Sequence, residues 1–100
     1  MGFISDLLSR KAIDVQARDL AGLFKKRLPK ERVNDLKRVA AELDILLVHA
    51  RGYQRKLKLG VVGTSRLVNG FQWALIEDGY SSDFARDVGK QLAVKLAASS

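Results

Sequence analysis

The chain contains no cysteine, which excludes disulfides, thiolate metal sites and cysteine nucleophiles and fits a reducing compartment, here expected to be the cytoplasm. Its single histidine, His49, is too few for a histidine-based metal cluster within one chain. Proline occurs once, at Pro29, and no low-complexity linker or internal repeat divides the sequence. No unbroken apolar run approaches the roughly 18 residues that a membrane-spanning helix needs. The opening MGFISDLLSRK places an acid before its bases and has only a short apolar stretch, unlike a secretory signal. Asp6 stands where an N-myristoylation motif requires Ser or Thr.

Catalytic patterns are equally scarce. The glycines form neither GxGxxG nor GxxxxGK[ST]. GVVGTS, residues 60–65, has two glycines before a helix start, where free N–H groups accept anions. It lacks the lysine of a phosphate-binding loop, so a plain loop and N-cap is the stronger reading. The acid pairs Asp83/Asp87, Glu31/Asp35 and Glu77/Asp78 fall at helix ends or exposed faces, where solvated charge is the ordinary state. No Ser or Cys lies within a helical turn of His49 to make it a catalytic base. Phe71 and Trp73 have the spacing of core residues rather than of a stacking platform. The expectation is therefore a binding protein, not an enzyme, with no cofactor and no metal.

What the chain does have is apolar periodicity and basic charge. One hundred residues, 47% of them hydrophobic, suffice for one core in a single domain. Phe3, Ile4, Leu7 and Leu8 mark a short amphipathic helix over about 3–10, which would dock on the core, a partner or a membrane. Ile13, Ala17, Leu20, Phe24 and Leu28 step by three and four, giving a helix over 13–28 that Pro29 ends. Leu36, Val39, Leu43, Leu46, Ala50, Tyr53 and Leu57 form a heptad-like seam, predicting one long central helix over 30–58. The seam runs through Asp44, where a helix-turn-helix motif over residues 38–56 would need its turn. Further helices are expected over 66–78, with Leu67, Phe71, Ala74 and Leu75 inward, and over 83–97, with Phe84, Val88, Leu92 and Leu96 inward. Gly79 should cap the first of these and Ser81 or Ser82 start the second. The fold class is all-α: four main helices plus a short N-terminal one, with short loops and antiparallel neighbours.

The net charge is +7. Residues 1–58 hold 14 Lys and Arg against 7 Asp and Glu, whereas residues 59–100 are balanced. Such asymmetry points to an acidic partner. Two runs carry it. The first supplies Lys25, Lys26, Arg27, Lys30, Arg32, Lys37 and Arg38; the second supplies Arg51, Arg55, Lys56 and Lys58. On one continuous helix, Lys30, Lys37, Arg51, Arg55 and Lys58 would form a stripe able to follow phosphates along about one turn of duplex. Tyr53 could stack on an unpaired base, although the apolar seam already explains it.

Two functions fit. The first is a small basic helical protein contacting nucleic-acid phosphates in an accessory or regulatory role. The second is a protein-interaction module, whose seam pairs with a second copy or another protein while the basic surface meets an acidic protein or a membrane. The discriminating question is whether the two basic runs share one face.

Overall fold

A computed structural model describes residues 3–98, with side chains from Arg10 onward. The fold is an all-α single compact domain. Its helices are α1 (Phe3–Arg27), α2 (Leu36–Lys56), α3 (Val61–Glu77) and α4 (Ser82–Ala98), with a 3₁₀ turn at Lys30–Arg32 between the first two.

The backbone of α1 is one continuous helix, so the expected break between residues 10 and 13 is absent. Neither proline nor glycine occurs there to cause one. The apolar strip Phe3, Ile4, Leu7 and Leu8 falls on side chains outside the described residues. Further along, Ile13, Ala17, Leu20, Ala21, Phe24 and Leu28 are all buried, as their spacing requires.

The long helix expected over 30–58 is shortened at both ends. Lys30–Arg32 forms a 3₁₀ turn, and Asp35 adopts an extended conformation with its carboxylate accepting from the Arg38 N–H at 3.2 Å. That N-cap satisfies a donor otherwise left orphaned at the helix start, and so fixes the start of α2 at Leu36. The far end stops at Lys56, before Gly60. Lys58 takes a left-handed φ of 53°, the Leu59 N–H reaches the Gln54 carbonyl at 2.9 Å, and the Lys58 N–H reaches the Arg55 carbonyl at 3.3 Å. These two bonds are the Schellman pattern, made here with lysine where glycine is usual.

Helix α3 begins five residues earlier than the GVVGTS reading predicts. Gly60 is its N-cap, and the Thr64 N–H closes the first turn on the Gly60 carbonyl at 2.9 Å. The Thr64 hydroxyl accepts from Gln54 Nε2 at 3.0 Å and does not cap the helix. The other end follows the sequence signals. Gly79 sits at φ 97° past the end of α3, and Ser81 Oγ accepts from the Phe84 N–H at 3.1 Å to start α4.

Four helix pairs pack closely and close a ring: α1 with α3, α3 with α4, α4 with α2, and α2 with α1. The most intimate pair, α1 and α3, is parallel, because Asp14 meets Arg66 and Lys25 meets Asp78. At Gly70 an added Cβ would lie 2.8 Å from the Ala17 Cβ, so these helices touch almost backbone to backbone. The antiparallel expectation holds for α1 with α2, where Arg27 meets Glu42, and for α3 with α4. The core runs through the ring, and at one end Phe24, Phe71, Phe84 and Tyr80 form an aromatic column with centroid spacings of 5.7 to 6.3 Å.

Consequently α2 is an edge of the ring, not a central helix. Val39, Leu43, Leu46, Leu47 and Ala50 are buried; Tyr53 and Leu57 are half-buried. Leu36, expected in the seam, is 80% exposed. Ala40, Ala41 and Val48 also face outward. Trp73 is likewise outside, at 56% exposure, although its neighbour Phe71 is fully buried.

Candidate nucleic-acid interface

The topology gives the bundle two poles. At the hinge pole, α1 ends, α2 begins, α3 ends and α4 begins. At the opposite pole α1 begins, α2 ends, α3 begins and α4 ends. The two basic runs lie at different poles, separated by the 21 residues of α2, about 31 Å at 1.5 Å per residue.

Much of the first run is committed inside the fold. Lys25 pairs with Asp78 at 3.1 Å. Arg27 donates to Glu42, which is only 6% exposed, and Arg38 approaches the other Glu42 oxygen at 3.4 Å while donating to the Arg27 carbonyl at 2.8 Å. Here a buried carboxylate is satisfied by two half-exposed guanidinium groups, which fastens α1 to α2. Lys30 lies over the Tyr80 ring, 5.8 Å from its centroid. Lys26, Arg32 and Lys37 are exposed.

The second run is arranged differently. Arg55, Lys56 and Lys58 are exposed and Arg51 is half-buried. The five-residue stripe is reduced to Lys37, Arg51 and Arg55, because Lys30 and Lys58 lie off the helix. Tyr53 is half-buried against the core, and burial, followed by the negative charge of Asp19, pushes its phenol above the ordinary value. Its ring is a packing element rather than a free stacking platform.

Folding adds bases that the linear sequence kept apart. Residues 10–19, 45–72 and 88–98 make up the half of the bundle at the second pole. They carry ten bases, namely Arg10, Lys11, Arg18, Arg51, Arg55, Lys56, Lys58, Arg66, Lys90 and Lys95, against two acids, Asp14 and Asp19. Residues 20–44 and 73–87, at the hinge pole, carry eight bases and eight acids. The net charge of the described side chains is therefore concentrated in one half of the molecule. Of the added bases, Arg66 is paired, donating twice to Asp14 at 3.1 Å. The usable sequence signal was the absence of acid from residues 45–76 and 88–100, two stretches that only the fold brings together.

The tip of this pole is also apolar: Val61 and Val62 are 85% and 83% exposed. Behind Val61 lies a cleft of about 430 Å³ walled mainly by Leu59, Val68, Ala93 and Ala97. Its walls carry no cation, so a phosphate would rest on the surrounding bases and not inside it.

The other polar groups have local tasks. Asp35 caps α2, Asp78 holds Lys25, and Asp87 accepts from Gln91 at 3.0 Å. His49 is exposed. Among the described residues no cluster of His, Asp or Glu could hold a metal ion. No helix is long and apolar enough to cross a membrane among the described residues. Compared with known protein families, curated proteins and solved structures, the chain matches none of them.

Proposed function

We propose that the protein is a small binding module, without catalytic activity of its own, that contacts nucleic-acid phosphates through its basic pole in an accessory role. The observation that supports this reading is the ten-to-two excess of bases in one half of the bundle, beside a balanced other half. Such a field attracts a polyanion and orients it before contact. Contacts to phosphate need no base-reading groups, and the half-buried Tyr53 offers little to stack on. The interface is a compact cap rather than the two-run stripe. Its leading members are Arg55, Lys56 and Lys58, joined by Arg10, Lys11 and Lys90, all exposed.

The second reading, an anionic membrane or an acidic protein, is favoured by one feature: the exposed Val61 and Val62 among the bases. One titration separates the two. Fluorescence anisotropy with labelled duplex and single-stranded DNA should show binding at low salt. With about five phosphates neutralised, log K should fall against log salt with a slope of about −4.5 for duplex. The variant R55E/K56E/K58E should lose at least about tenfold in affinity, and K26E/R32E, at the hinge pole, much less. No binding to either strand form, alongside binding to phosphatidylglycerol vesicles, would overturn the nucleic-acid reading in favour of the membrane. Equal losses in both variants would reject the single-pole interface.

A further inference from the structure

The outward face of α2 between Leu36 and Val48 is unpartnered and unusually ordered in its chemistry. Leu36 and Val48 are 80% and 68% exposed, and Ala40 and Ala41 also face solvent. Two charges stand on this face, Lys37 and Asp44. Both are exposed, and neither makes an ion pair among the described residues. At 100° per residue, Lys37 and Asp44 point within about 20° of each other. Ala40 and Ala41 lie about 50° to either side of that direction, and Leu36 and Ile45 about 90° to either side. From Leu36 to Ile45 these outward positions pair about the point between Ala40 and Ala41, with a cation on one side and an anion on the other, and Val48 lies beyond the pairing.

A surface of this kind complements itself when turned end over end. We infer that it is an interface with a second copy of the chain, the two α2 helices lying antiparallel about a two-fold axis between Ala40 and Ala41. Lys37 then faces the partner's Asp44, and Asp44 faces the partner's Lys37. The alanines at the crossing allow a short interaxial distance, near the 8 Å lower end of the usual range. Leu36 and Ile45 lie on opposite edges of this face, so Leu36, the most exposed leucine of the helix, sits at the rim of the contact and is partly shielded from water there. The seam is not the contact: Val39, Leu43, Leu46 and Ala50 are already buried within one chain. A single helix pair sits at the low end of specific interface sizes, so the association is concentration-dependent. It does not rest on the nucleic-acid reading, because α2's outer face is tested without any polyanion.

The experiment is a charge exchange followed by light scattering and sedimentation over a concentration series. The wild type should pass from monomer to dimer. K37E places Glu opposite Asp twice, D44K places Lys opposite Lys twice, and each variant should stay monomeric. Mixing the two variants restores both attractive pairs, so the mixture should dimerise although neither component does. Circular dichroism and thermal melting verify that each variant is folded. A wild type monomeric throughout the series overturns the proposal, as does dimerisation indifferent to either reversal. A mixture that remains monomeric rejects the antiparallel register.

Discussion

Lys58 shows at a single residue how stability and charge compete in this molecule. A non-glycine side chain in the left-handed region costs roughly 1 kcal/mol because its Cβ crowds the following carbonyl. Lys58 bears that cost to end α2, and its ammonium stands on the basic pole. Lys58→Gly should therefore stabilise the fold by about 0.5–1 kcal/mol, a Tm rise of about 4 °C for a domain of this size. The same change removes one cation, so the slope of log K against log salt should become shallower by about 0.9. Differential scanning calorimetry and a salt titration on the same preparation test both halves. A gain in stability with an unchanged slope would remove Lys58 from the interface. Tyr80 gives a second residue-level test. Its hydroxyl donates to the Leu28 carbonyl at 2.8 Å in a buried site, and burial, then Asp78 and Glu31, raise its pKa above the ordinary 10.0. The folded chain thus holds this proton more tightly than the unfolded chain. The associated stability is complete below pH 10 and is lost as the pH rises towards the folded-state value. Tyr80→Phe should cost about 1–2 kcal/mol at neutral pH by leaving the carbonyl unpaired, and should flatten the alkaline decline in urea-unfolding free energy.

At the level of elements, the helices answer to one pair interaction above the others. Arg27 and Arg38 converge on the buried Glu42, which joins the end of α1 to the start of α2 across the 3₁₀ turn. Arg27→Ala leaves this carboxylate with a single, longer contact and should destabilise the fold by about 1–3 kcal/mol in chemical denaturation, with little effect on polyanion binding. The α1–α3 contact is the other sensitive place. Gly70→Val forces a branched side chain towards Ala17 and should cost more than about 2 kcal/mol. Helix identity was legible in the sequence because Ile13 to Leu28, Leu67 to Leu75 and Val88 to Leu96 repeat at helical steps and are buried almost without exception. The ends of α2 and α3 were less so. Asp35, which the sequence marks only as one of a surface acid pair, caps the start of α2, and Lys58 ends α2 in a conformation normally left to glycine. Leu36 and Trp73 matched the periodicity yet lie outside, because spacing marks a helical face and says nothing of how many helices cover it.

At the scale of the whole molecule, linear charge and spatial charge diverge. The sequence places all of its excess in residues 1–58, but the ring α1–α3–α4–α2 sorts the bases by pole. Lys90 and Lys95, from the neutral half of the sequence, join the basic pole, while Lys25, Arg27 and Arg38 are consumed at the hinge pole. Pairing through α2 gives this polarity a geometric consequence. Arg55 and Lys56 lie about 15 residues from the proposed two-fold axis, so the two basic poles of a dimer point apart, about 45 Å from one another along the helix direction. A duplex must extend over about 13–14 base pairs, at 3.4 Å each, before both poles engage it together. Beyond that length the second contact becomes intramolecular and the apparent affinity rises without any new interface. The monomeric K37E variant has an unchanged basic pole, so it should match the wild type on a short duplex of about 8 base pairs and fall well behind on one of about 30. Anisotropy titrations over a series of duplex lengths read this directly. A wild-type advantage of the same size at every length would show that Lys37 touches the duplex itself. No advantage at any length, in a protein shown to dimerise, would mean that the two poles do not bind one polyanion together.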